Sequence, residues 1–209
     1  MESINTFSKT VPGEGTYTVK IIPDSDAQNP RTDFDHLGTM VYWHRRYCIG
    51  DVDGQKEYGS AGDFLTWAKA NWAVYLPVYL YDHSVRRVST SSFLGRAQHA
   101  EWDSGQVGFI YVTRENILKE FGTGKKLAVS KRIKDQVVKC LTSEVEVYDQ
   151  FLAGDVYGYV IEDENGENVE SCWGFYGEKY CKEEATSVLE HLAKKAESKV
   201  PAATESAIA

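Results

Sequence analysis

Residues 156–176, VYGYVIEDENGENVESCWGFY, decide the fold class. Two runs rich in β-branched and aromatic residues flank Asn165-Gly166, and an Asn-Gly step between such runs is the strongest short-range hairpin signal. The reading places strands at 156–163 and 169–176. A hairpin implies antiparallel pairing, and the helices around it are unevenly placed. Upstream, a helix opens at Ser130 and carries Ile133, Val137, Leu141, Val145, Tyr148 and Leu152 every three or four residues, one apolar stripe that Gly154 ends. Downstream, Cys181, Ala185, Val188, Leu189 and Leu192 share a face of a second helix over about 178–198. The expected class is α+β, a mostly antiparallel sheet packed by about four helices, rather than a regular βαβ array.

Working back toward the N-terminus, AVYLPVYLYDH sets Val74, Leu76, Val78 and Leu80 against Tyr75, Pro77, Tyr79 and Tyr81, an aliphatic and an aromatic face. Pro77 lacks a backbone donor and requires an edge or a bulge at that point. QVGFIYVT (106–113) reads as a strand whose Thr113 caps a short helix, and Phe64, Trp67 and Ala68 fall at helical spacing after a Ser60 cap. TYTVKIIP (16–23) alternates as a strand, and another is expected over 38–46. Residues 1–15 read as a flexible N-terminus, 16–199 as a single domain, and 200–209 as a disordered tail.

The chain has 209 residues, 42% hydrophobic and 26% charged, ordinary for a soluble globular domain. No apolar run approaches the roughly 20 residues of a membrane span, and no secretory signal opens the chain, so no membrane association and a cytoplasmic location are expected. A net charge of −8 argues against general nucleic-acid binding, which needs a basic face to collect phosphates. Cys48, Cys140, Cys172 and Cys181 are widely spaced and read as free thiols.

Several motifs fail on spacing. GTGKK at 122–126 lacks the phosphate-loop pattern and follows a helix. DVDG at 51–54 lacks the further ligands of a calcium loop. Asp33, Asp35 and His36, and the Asp82-His83 pair, read as loop and strand-end polar groups, and no metal site is assigned. A Cys172–His nucleophile is disfavoured, because a free cysteine within a strand is usually a core residue.

Three polar clusters remain, each at an expected strand end: His44, Arg45, Arg46 and Tyr47; Tyr81, Asp82 and His83; and Glu101, Trp102, Asp103, Ser104, Gly105 and Gln106. Guanidinium forks suit carboxylate and phosphate oxygens, histidine and aspartate suit proton transfer, and an indole can stack on a base. The plain alternative is a set of structural ion pairs with some of the 31 acidic residues. Whether the three strand ends meet decides between them.

The wording of NPRTDFDHLGTMVYWHRRYCIGD (29–51), VYLPVYLYDH (74–83), WDSGQVGFIYVT (102–113) and VEVYDQFLAGDVYGYVIEDENGENVESCWGFYG (145–177) resembles a family of small uncharacterised proteins encoded by bacteriophages and prophages. SVRRVSTSSFLGRAQHAE (84–101) is longer and more basic than that resemblance leads one to expect. The resemblance implies a phage accessory protein in the host cytoplasm and supplies no catalytic residue and no cofactor. The preferred expectation is a non-enzymatic binder of a host protein or complex, such as a defence system. The alternative is a binder of, or enzyme on, a phosphorylated or nucleotide-like ligand at the strand-end clusters. A minor virion component is a third, weaker reading.

Overall fold

The computed structural model describes residues 2–11, 15–121 and 129–197. In chain order they form β1 (Asn5–Val11), β2 (Gly15–Pro23), β3 (Thr39–Tyr42), β4 (Val52–Asp53), α1 (Gly54–Glu57), α2 (Ala61–Ala70), β5 (Val74–Asp82) and β6 (Arg86–Ser89). Then follow α3 (Ala100–Asp103), β7 (Ser104–Val112), α4 (Arg114–Glu120), α5 (Lys131–Ala153), β8 (Val156–Glu162), β9 (Asn168–Tyr176) and α6 (Glu178–Glu197). The class is α+β. All strand pairs are antiparallel except β3 with β4. GTGKK and the 200–209 tail lie outside the described residues.

The elements gather into two compact units. One takes the described residues up to Ala27 and from Gly154 on; the other is Gln28–Ala153. The first unit is a four-stranded sheet in the order β1-β2-β8-β9 with α6 on one face. Alternation puts Phe7 and Val11, Tyr17, Val19 and Ile21, and Tyr159 and Ile161 on that face, against Cys181, Ala185, Leu189 and Ala193 of the helix. Burial pushes the Cys181 thiol up to about 12, so it packs as a small neutral apolar group. Across β1 and β2 the opposite face carries hydroxyl pairs, Ser8 with Thr18 at 3.2 Å and Thr10 with Thr16 at 3.0 Å.

Asn5–Val11, expected within a flexible N-terminus, is thus an edge strand. Its neighbour register, Phe7 opposite Val19, buries enough to hold it. The 156–176 hairpin forms, but with a five-residue connection, 163–167, in place of a two-residue turn. Only Gly166 takes a positive φ. Asp163 organises the loop, its carboxylate accepting the backbone N–H groups of Asn165 and Glu167, each at 2.9 Å. The Glu167 N–H above all holds the Asp163 carboxyl below the usual range. Cys172 of this hairpin is exposed, not a core residue.

In the second unit a five-stranded sheet, ordered β4-β3-β7-β5-β6, is covered on both faces. Met40, Leu76, Val78, Leu80, Ile110 and Val112 point to α5, where Val137, Leu141, Val145 and Tyr148 receive them. Val41, Tyr75, Phe109 and Tyr111 point the other way, onto Phe64 and Ala68 of α2. Ser60 caps α2 by accepting the Asp63 N–H at 3.1 Å. Pro77 sits where β5 pairs with β7 alone, because β6 reaches only Tyr79–Asp82, and a bulge follows at Val78/Tyr79. Gly108 lets β3 and β7 close up: a Cβ there would stand 2.0 Å from the Val41 carbonyl oxygen.

Candidate functional site

Strand order explains why the sequence-predicted clusters meet. β3 and β5 both run antiparallel to β7 and flank it, so their C-terminal ends point toward the start of β7. The chain leaving β3 turns over that end, held by the Trp43 N–H donating to the Val107 carbonyl at 2.7 Å. β5 delivers Asp82, and the short helix α3 delivers Trp102 and Asp103 directly into Ser104, the first residue of β7. A cavity of about 320 Å³ results, lined by His44, Arg46, Asp82, Trp102, Asp103 and Ser104, with Leu80, Gly105 and Val107 below.

β3 stops at Tyr42, not near residue 46. Residues 43–47 are a turn, so strand alternation does not govern which way their side chains point. The turn closes on itself. The Tyr47 N–H donates to His44 Nδ1 at 3.1 Å, which leaves Nε2 as the protonated nitrogen of the neutral ring. The two rings stack at 5.1 Å with 6° between planes. Arg46 and Arg86 lie over Tyr47 at 5.6 and 5.0 Å from its centroid. The Tyr42 hydroxyl bonds to Cys48, and that bond, with burial behind it, pushes the phenol up to about 12.

The charges in the cavity are mixed. Arg46 Nη2 stands 3.7 Å from Asp82 Oδ2, and the Arg46 side chain is 74% exposed, a loose pair that a ligand can reorganise. Asp103 Oδ2 accepts from His83 Nδ1 at 2.8 Å. His83 is not in the cavity wall itself and reaches it only through that carboxylate. Its ring stacks on Tyr81 at 5.9 Å. Trp102 is 84% exposed, a flat face with little to hold it in place. Ser104 donates to the Ala100 carbonyl at 2.6 Å, which ties α3 to the strand it feeds.

Five residues of the predicted clusters stand outside the cavity wall besides His83: Arg45, Tyr47, Tyr81, Glu101 and Gln106. Arg45 is exposed. Tyr81 donates to the Gln98 carbonyl at 3.0 Å, and Gln106 Nε2 donates to the Gly108 carbonyl at 3.3 Å. Asp103 is the last residue of α3, and Ser104 and Gly105 open β7. Among the described residues no group of three or more His, Cys, Asp or Glu converges on a point that would hold a metal ion.

Sequence reasoning missed a second charged constellation. Arg31 is the one buried charged residue among those described, with 3% of its side chain exposed. Its Nε donates to Asp51 Oδ1 at 2.9 Å, Nη1 to Glu144 Oε2 at 3.0 Å and Nη2 to the Gly38 carbonyl at 2.7 Å, and Nη2 also pairs with Asp51 Oδ2. Burial works to lower its pKa, but Asp51 and then Glu144 outweigh it and the net shift is upward. Asp51 also accepts the Met40 N–H at 2.6 Å, so this network clamps the base of the 43–50 turn that carries His44 and Arg46.

No family model matches the chain, and neither a curated protein nor a solved structure shows significant similarity to it. No helix among the described residues is long and apolar enough to cross a membrane.

Proposed function

We propose that the chain binds a small phosphorylated, nucleotide-like compound in the strand-end cavity. One observation carries this reading: side chains from three separate stretches, 44–46, 82 and 102–104, line a single cavity. The mixed charge suits such a ligand better than bare phosphate. Arg46 offers a fork to an anionic oxygen, Asp82 accepts from hydroxyl or amino groups, and Trp102 gives a stacking face. His44 and Asp103 stand where a proton could be taken or given, so the same arrangement admits an enzyme.

The test is thermal unfolding of the full chain against nucleotides and phosphorylated metabolites. A ligand at a hundredfold excess over its Kd adds about 2.7 kcal/mol to native stability. The shift is expected to vanish in Arg46→Ala, with the unliganded midpoint nearly unchanged because so exposed a pair contributes about 0–1 kcal/mol. A panel without any shift, or a shift that survives both Arg46→Ala and Trp102→Ala, would discard the reading.

A second reading, the phage accessory protein that binds a host protein in the host cytoplasm, draws support from exposed aromatics. Trp72 is 77% exposed, Trp102 84% and Tyr180 53%, and such side chains are the usual anchors of protein interfaces. A pull-down from host lysate is expected to return a specific host protein that Trp72→Ala/Trp102→Ala loses; return of no specific protein would count against it.

A further inference from the structure

We infer that the groove between β1 and α6 binds an extended acidic peptide, which adds to the β1 edge as a further strand. This concerns a different part of the chain from the strand-end cavity and stands or falls apart from it.

β1 ends the sheet order, and among the described residues it pairs only with β2. Alternate N–H and C=O groups of an edge strand point outward with no ladder partner, a ready template for another chain. Thr6, Ser8, Lys9 and Thr10 are exposed. α6 runs alongside. At one end Asn5 Nδ2 donates to Glu178 Oε1 at 3.3 Å. Further along, Phe7 faces Lys179, Lys182, Glu183 and Thr186 across a mainly apolar cavity of about 460 Å³. An open strand edge beside a helix, with a cavity between them for alternate side chains, is a recurring way to recognise extended peptides.

Charge selects the occupant. The protein carries −8, yet this groove is locally basic. Lys179 and Lys182 line it and Lys9 shares the Phe7 face of β1; against these three stand Glu183, 3.7 Å from Lys179, and Glu178 at one end, engaged by Asn5. A second copy of the chain adding its own β1 would set lysine rim against lysine rim. An acidic segment with apolar residues at alternate positions meets both demands: carboxylates for the rim, apolar side chains for the cavity over Phe7.

Fluorescence polarisation of the full chain with labelled Glu-Val-Glu-Val-Glu-Val tests this. The hexamer spans roughly 20 Å as a strand, close to the reach of β1. Saturable binding is expected, at least tenfold weaker for Lys-Val-Lys-Val-Lys-Val and for Lys179→Glu/Lys182→Glu. One of the two alternate N-methylated series should lose binding, because only one set of its N–H groups faces β1. Thr186→Trp, at an exposed position, should fill the groove and abolish binding with the unfolding midpoint unchanged. Absence of saturable binding, equal binding of the lysine peptide, or indifference to both N-methylated series would overturn the inference.

Discussion

Arg31→Ala is expected to lower the unfolding free energy by about 3–5 kcal/mol, the usual result of removing one partner from a buried charge network. Equilibrium denaturation in urea would read it as a fall in midpoint with the slope retained. The size follows from what stays behind. Asp51 and Glu144 lose the guanidinium between them, with their side chains only 17% and 18% exposed. Glu144 keeps the Leu37 and Gly38 N–H groups, at 2.8 and 3.1 Å, and Asp51 keeps that of Met40, so neither carboxylate can simply swing out to water. Arg31→Lys should recover little, because a single ammonium cannot reproduce a fork that reaches Asp51, Glu144 and the Gly38 carbonyl together. A loss below about 1 kcal/mol, the range of exposed pairs, would mean that the network carries no such weight. Because Asp51 also bonds Met40 at the base of the 43–50 turn, the same substitution should weaken any ligand held by Arg46.

That network was illegible in the sequence for a plain reason. Arg31 lies 20 residues from Asp51 and 113 from Glu144, and nothing in the local pattern of NPRTD separates it from any turn arginine. Helices were legible because their signals are local: the Ser60 cap, the α5 stripe and the Gly154 stop each act within a turn or two. β1 was missed because only Phe7 and Val11 of NTFSKTV reach the core, too few for alternation to show. The site was half legible. Its residue types stood out, but their convergence depends on β7 lying between β3 and β5, which is a matter of non-local pairing. The strand expected over 38–46 ends at Tyr42, because the chain from Trp43 on leaves the ladder, and nothing local in YWHRRY marks that exit.

Phe64→Ala is expected to cost about as much again, roughly 3–5 kcal/mol for truncating a buried phenylalanine. Phe64 is fully buried, stacked on Phe109 at 5.0 Å, with Tyr58 at 5.2 Å, Tyr111 at 5.3 Å and Trp43 at 6.0 Å around it. A cavity costs most where its walls cannot collapse, and these walls are tied elsewhere. The Tyr58 and Tyr111 hydroxyls bond at 3.0 Å, and Trp43 Nε1 donates to the Gly59 carbonyl at 3.2 Å. Burial and that tyrosine pair hold the Tyr58 phenol well above its ordinary value. Phe64→Leu, with less volume lost, should cost a fraction of the alanine change. Trp43 directly precedes His44, so the cavity opens beneath the turn that feeds the site, on the sheet face opposite the Arg31 network. Among the described contacts the two sets share no partner; β3 lies between them, with Met40 on one side and Val41 on the other, and β5 and β7 likewise face both clusters. Phe64→Leu combined with Arg31→Ala should therefore be additive within about 0.5 kcal/mol. A larger coupling would mean that β3 shifts as a unit when either face is loosened, and ligand affinity at Arg46 should then fall in step with it.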